Sequence, residues 1–254
     1  MLYNRLPEFV RDHYECHEWK HASAILSQDF PQEWADIMDV LAAFRLRRSW
    51  IEVGGGSKSQ VSAFIDEGLY ARGWEEKKFQ TSVMLDGQAI ESPTHQIDCY
   101  RNGIALEIEW NNKDPFFDRD LNNFRLLFDL RAVSVGVIIT RADGLQGIFN
   151  DIGRGSSYGQ STTHMSKLLP KIEGGGAAGC PLLVFGITPK LYLEDEDDER
   201  GRRSALPLFG AAVSDHPGGP ALAVSEPHGE NGARASAAEP VRDDDSGRHL
   251  RSAG

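Results

Sequence analysis

The sequence predicts an α/β domain over residues 1–193 followed by an acidic tail over residues 194–254. Helical and strand periodicities alternate through the first part. Two near-continuous apolar runs, residues 133–140 and 181–187, have the composition of strands buried on both faces of a sheet. The composition then changes at Glu194, where six consecutive acidic residues lead into a stretch rich in Gly, Ala, Ser, Pro and Asp. Such a stretch cannot bury enough apolar surface to offset its ordering entropy, so a disordered tail is expected.

The elements follow in order. Residues 32–47 carry Ile37, Met38, Val40, Leu41 and Phe44 at helical spacing, and Pro31 suits a first helical turn. Residues 61–70 form a second amphipathic helix with Val61, Phe64, Ile65 and Leu69 on one face. Between them lies a glycine-rich loop, Gly54-Gly55-Gly56-Ser57-Lys58-Ser59-Gln60. Its Lys-Ser pair lacks the spacing of a nucleotide-binding P-loop. Residues 81–85 enter a hairpin through Asp86-Gly87. Residues 96–100 and 104–110 form another hairpin around Arg101-Asn102-Gly103. A helix over 121–130, the strand 133–140, a helix over 161–172 and the strand 181–187 complete the domain.

Three cysteines, Cys16, Cys99 and Cys180, are odd in number and widely spaced, which argues against a disulfide framework and a Cys-x-x-Cys metal knuckle. A reducing, cytoplasmic setting is the simplest expectation. No stretch approaches the ~20 apolar residues of a membrane span, and the first fifteen residues do not read as a signal peptide. The net charge of −11 argues against nucleic-acid binding when taken alone. It is unevenly placed: 13 acidic and 7 basic residues from Glu194 onward leave −5 for the domain. His13, His17 and His21 fall on one helical face, a spacing that suits a transition metal, although exposed helix histidines are commoner. The five tryptophans read as core or interface anchors.

Chemistry concentrates in Asp98 and Glu107-Ile108-Glu109. Strand alternation puts Glu107 and Glu109 on one face and Ile108 toward the core. The hairpin then brings Asp98 alongside. Three carboxylates this close repel one another unless a cation compensates, and a hard divalent ion does so with oxygen ligands. Asp98, Glu107 and the carbonyl of Ile108 are the candidate ligands for Mg²⁺, and Glu109 is the candidate to position or deprotonate a water. Such a centre suits phosphodiester hydrolysis. The plainer alternative is a strand edge with acids facing solvent.

Asp98, eight residues, Glu107-x-Glu109, an aromatic, Asn111-Asn112 and Pro115-Phe116 together resemble the catalytic region of the BglII/BstYI group of type II restriction endonucleases. The resemblance extends to Ser62-Ala63-Phe64 through Arg72-Gly73-Trp74, to Val135-Gly136-Val137-Ile138-Ile139, to Ser156-Ser157-Tyr158 and to the run from Pro181 to Ile187. It spans roughly residues 20 to 190. It implies the PD-(D/E)xK fold, a central mixed sheet flanked by helices, and a homodimer that cuts both strands of duplex DNA with Mg²⁺ at a GATC-centred palindrome. It also implies a cognate DNA methyltransferase encoded nearby. The third position departs from the pattern. It is typically Gln in this group and Lys in the wider superfamily, whereas Glu109 matches BamHI-like relatives. That leaves open which residue activates the water, and a catalytically weakened DNA-binding relative or a repair-type nuclease of the same fold are the alternatives. Candidate DNA contacts are Asn111, Asn112 and Lys113 after the catalytic strand, Arg119 and Arg125 beyond them, Arg154, Ser156 and Ser157 on a glycine-rich loop, and Lys58 and Gln60 in the first glycine loop. Each has a solvated loop residue as its plainer reading.

Overall fold

The computed structural model describes residues 2–53 and 58–195. Most of the first glycine loop (54–57) and nearly all of the expected tail (196–254) lie outside the described residues. In chain order the elements are α1 (Glu8–His13), β1 (Tyr14–Trp19), α2 (Ala22–Asp29), α3 (Pro31–Ala43), β2 (Leu46–Arg47), α4 (Arg48–Glu52) and α5 (Gln60–Tyr70). Then follow β3 (Glu75–Lys77), β4 (Gln80–Leu85), β5 (Gln88–Pro93), β6 (Ile97–Arg101), β7 (Ile104–Glu109) and α6 (Pro115–Asp129). The last are β8 (Val135–Arg141), α7 (Leu145–Asp151), α8 (Met165–Glu173), β9 (Leu182–Ile187) and β10 (Tyr192–Leu193).

Six strands form one mixed sheet in the order β1-β9-β8-β7-β6-β3. The central three, β7, β8 and β9, run parallel, while β1, β6 and β3 pair antiparallel. All residues of those central strands are buried, including the polar Glu107, Glu109, Thr140 and Arg141 at their C-terminal ends. On one face α2, α3, α5 and α7 pack over Leu106, Ile108, Val137 and Phe185. On the other, α6 and α8 cover Ala105, Ile138 and Val184 through Phe117, Leu121, Phe124, Leu168 and Ile172. Gly136 lets α6 approach closely: a Cβ there would lie 2.6 Å from the Phe124 ring. This is the expected α/β arrangement of a central mixed sheet flanked by helices.

Both expected hairpins form. Asp86-Gly87 and Asn102-Gly103 each place two consecutive residues at positive φ, the backbone that a two-residue hairpin turn needs. The β6–β7 turn is pinned to α3. Arg101 pairs with Glu33 (3.3 Å) and Asp36 (2.9 Å), the Asn102 amide donates to Glu33 (2.7 Å), and the Trp74 indole donates to Asp36 (3.0 Å).

Several local expectations are corrected. His13, His17 and His21 do not share a helical face. His13 ends α1, His17 lies in β1, and His21 is left-handed at the start of α2. The four-residue spacing coincided with a break between elements, and edge strand β1 is built from alternating polar residues. The helix expected over 121–130 starts at Pro115, which fits a first helical turn. That expected over 161–172 starts at Met165, because residues 161–164 are held in a loop described below. The helix expected over 32–47, α3, ends at Ala43. Of the segment read as tail, Glu194 and Asp195 pack on α4, through Arg48 (3.2 Å) and Ser49 Oγ (3.0 Å). The three cysteines are buried and free, and no described helix is long and apolar enough to cross a membrane.

Candidate active site

β6 and β7 pair regularly only from Arg101↔Ile104 to Cys99↔Leu106, and their open end carries the acids. There the Asp98 N–H donates to Glu107 Oε2 (3.3 Å), and Asp98 Oδ2 accepts from the Ile108 N–H (2.9 Å). Asp98 and Glu107 are therefore brought together as expected, and Ile108 packs into the core on the opposite face. Glu107 has no accessible surface, and its Oε1 finds no hydrogen-bond partner. Burial first, then the neighbouring Asp120 and Asp98 charges, push its carboxyl well above the ordinary range. Burial likewise raises Asp98 to about 6.

Glu109 is placed differently. Its Oε2 accepts from the Asn112 amide (2.8 Å) and its Oε1 lies 3.3 Å from the Arg119 guanidinium. Arg119 also pairs with Asp120 at 2.8 Å. Asp120 is fully buried, and its Oδ2 has no donor as long as both acids are ionised. Burial raises the Glu109 carboxyl, with Asp120 reinforcing it, so the pair is best satisfied by sharing one proton. Sequence reading missed Asp120. Its signal was an acid inside the apolar stripe Phe117, Leu121, Phe124 of α6.

A cleft of about 580 Å³ opens beside Asp98 and Ile108. Lys58, Gln60, Asn111, Asn112, Arg154 and Ser157 all line it, so six of the candidate DNA contacts share one concavity with one of the candidate acids. Glu107 and Glu109 are not part of its wall. Lys58 pairs with the buried Asp66. Asn111 donates its amide nitrogen to the Ser157 carbonyl (3.1 Å), and its Oδ1 is buried without a hydrogen-bond partner. The other candidates lie elsewhere. Arg119 is spent on Glu109 and Asp120, and Arg125 pairs along α6 with Asn122 and Asp129. Lys113 forms a β-bridge with Thr162, and Ser156 is exposed outside the cleft.

Among the described residues no three His, Cys, Asp or Glu side chains are grouped to hold a metal. Two carboxylates and main-chain carbonyls are what the open end offers. They suit a hard divalent cation. Glu107 Oε1 is an orphaned buried acceptor, and the raised Asp98 and Glu107 carboxyls lack a positive partner at contact distance.

A search among curated proteins found no match. The family model described as restriction endonuclease BglII/BglIII matches residues 14–187, which run from the first residue of β1 to the last of β9 and so enclose all six strands of the main sheet. This chain belongs to the BglII/BglIII restriction endonuclease family, the members of which are site-specific hydrolases of double-stranded DNA.

Proposed function

We propose that this chain is a Mg²⁺-dependent type II endonuclease that acts as a homodimer on a palindromic, GATC-centred site. The observation that carries the metal-dependent part is the Asp98–Glu107 pair at the open end of the β6–β7 hairpin, with Asp98 lining the cleft and an unpartnered Glu107 oxygen buried next to it. Dimerisation, the GATC core and a cognate methyltransferase encoded nearby rest on the family resemblance. Two-fold symmetry in such a dimer matches a palindrome.

In this reading Asp98, Glu107 and the carbonyl of Ile108 hold the ion. When bound, the ion polarises the phosphoryl group and makes a bound water more acidic. The chain's own residues do the rest. Lys58 and Arg154 bring positive charge to a cleft that must admit a polyanion. Asn111 and Asn112 sit two and three residues past the catalytic strand, where side chains can be directed at base edges. Glu109 positions the attacking water once its carboxylate is freed from Asn112 and Arg119.

A second reading draws on that last requirement. Both Glu109 oxygens are already engaged and Glu107 is sealed from the cleft, which suits a relative that grips DNA but cuts it poorly. One experiment separates the readings: incubation of the purified protein with unmethylated phage DNA in Mg²⁺, in Mn²⁺ and in EDTA. Discrete fragments in Mg²⁺ and none in EDTA support the first reading, and sequencing their ends gives the site. Intact DNA in both metals would favour the second, and a smear without discrete bands would point to a repair-type nuclease.

A further inference from the structure

We propose that Arg141 is a positioning residue for sequence discrimination, which locks the 157–163 loop against the segment after β7 so that the two meet DNA as one surface. The inference rests on the nuclease reading above and adds a residue that never touches DNA.

Arg141 ends β8 and is 2% exposed. Its Nε donates to the Thr163 carbonyl (3.0 Å). One terminal nitrogen donates to the Tyr158 carbonyl (2.9 Å), to Thr162 Oγ1 (2.8 Å) and to the Gly159 carbonyl (3.4 Å). The other reaches Gln146 Oε1 (3.4 Å). Four of these five acceptors belong to one irregular loop. The planar fork suits this task because it addresses acceptors in several fixed directions at once.

The loop is in turn fastened to the candidate contact segment. The Thr163 N–H donates to the Asn112 carbonyl (2.8 Å), and the Asn112 N–H donates to Thr163 Oγ1 (3.1 Å). Asp114 N–H donates to the Ser161 carbonyl (3.1 Å), and the Asn111 amide to the Ser157 carbonyl (3.1 Å). Asn111, Asn112, Ser157 and Tyr158 all line the cleft. The guanidinium also lies over the Phe149 and Tyr158 rings, at 5.5 and 5.8 Å, and these rings stack on each other.

A role in filling the core does not account for this residue. Burying a guanidinium is costly, and Leu or Met would fill the same space. Among the described residues Arg141 makes no ion pair, and all five acceptors are neutral. Its charge is thus spent on loop geometry, and it adds positive potential behind a surface that must attract phosphates.

The test uses duplex oligonucleotides carrying the wild-type site and each of its single-base-pair substitutions, with wild type, Arg141→Lys, Arg141→Met and Thr162→Val compared by kcat/KM. Arg141→Met is expected to lose cleavage mainly at the true site, so that the ratio of true to substituted sites drops roughly tenfold. Arg141→Lys falls between, and Thr162→Val, which removes one acceptor, shows a few-fold drop. A parallel fall on every duplex, or an unchanged ratio, would overturn the inference, since a merely structural role lowers all rates alike. If circular dichroism shows Arg141→Met unfolded, Arg141→Lys and Thr162→Val decide the matter by the same ratio. Wild-type protein that cuts none of the duplexes sinks the nuclease reading and this inference with it. Selective cutting by wild type with ratios unchanged in the variants sinks this inference alone.

Discussion

The two ends of the β6–β7 hairpin both bury acidic side chains, yet they treat them in opposite ways. At the turn, Glu33 and Asp36 meet a guanidinium, an amide and an indole, so their charges are matched by donors within 3.3 Å. At the open end, Arg119 pairs with Glu109 and Asp120 alone, Asp98 and Glu107 have no cation at contact distance among the described residues, and oxygens of Glu107 and Asp120 have no partner. The first arrangement is what stability requires of buried acids. The second is unfavourable without a further cation. The contrast separates acids that hold the hairpin in place from acids held in place by it.

The contrast is broken most sharply by exchanging losses. Glu107→Gln is expected to lower cleavage by roughly 100-fold or more, in line with removal of a group that holds charge at a reacting centre. The melting temperature of the metal-free protein should stay the same or rise, because the unpartnered charge is gone. Arg101→Met is expected to do the reverse. It strands Glu33 and Asp36, costs about 3 kcal/mol, and lowers Tm by roughly 6 to 12 °C, while the surviving folded fraction still cuts. Calorimetry and cleavage assays on both variants check this. A large Tm loss in Glu107→Gln would erase the distinction.

Metal addition sharpens it next. Mg²⁺ at about a hundred times its dissociation constant should stabilise the wild type by ~2.7 kcal/mol, and EDTA should reverse the gain. Glu107→Gln should respond far less. An equal response in both proteins would place the ion elsewhere.

A smaller effect concerns pH. Burial raises the folded Asp98 carboxyl to about 6, against an unfolded value near 4. A group raised on folding contributes stability that is fully present below its unfolded pKa and is lost as pH rises through the folded one. The metal-free protein should therefore lose Tm between about pH 4 and 6, and Glu107, raised well above its ordinary range, extends the decline upward. A Tm that climbs through this window would contradict the burial described for these acids. The smallest effect is expected for Arg125→Ala. Its side chain pairs along α6, away from the cleft, so stability should change by less than about 0.5 kcal/mol and cleavage hardly at all.

Much of this was legible in the sequence, and what was not has physical causes. Asp-Gly and Asn-Gly each fix a hairpin by local backbone preference, so both turns could be read directly. Period-two alternation put Glu107 and Glu109 on one face because β7 is a regular strand. Local patterns failed where tertiary contacts decide the outcome. The three histidines mimicked a helix across an α–β boundary. The start of α8 was misplaced because residues 161–164, polar enough to open a helix, are drawn into the loop by Arg141 and Asn112. Asp120 was not singled out, since a lone acid on an apolar stripe reveals its role only when its partners on β7 are known. Alternation also could not show that Glu109 would turn toward α6 rather than toward the cleft.

Thr140 and Arg141 are adjacent on β8. The Thr140 hydroxyl donates to the carbonyl of Glu109 (2.7 Å), and the Arg141 fork holds the loop. In the reading proposed above, the chain thus passes from the cutting centre to the reading surface across one peptide bond. On that reading, a descendant lineage that redraws residues 142–164 would change its target while inheriting the cutting centre untouched. One that alters the end of β8 puts both at risk in a single mutational step.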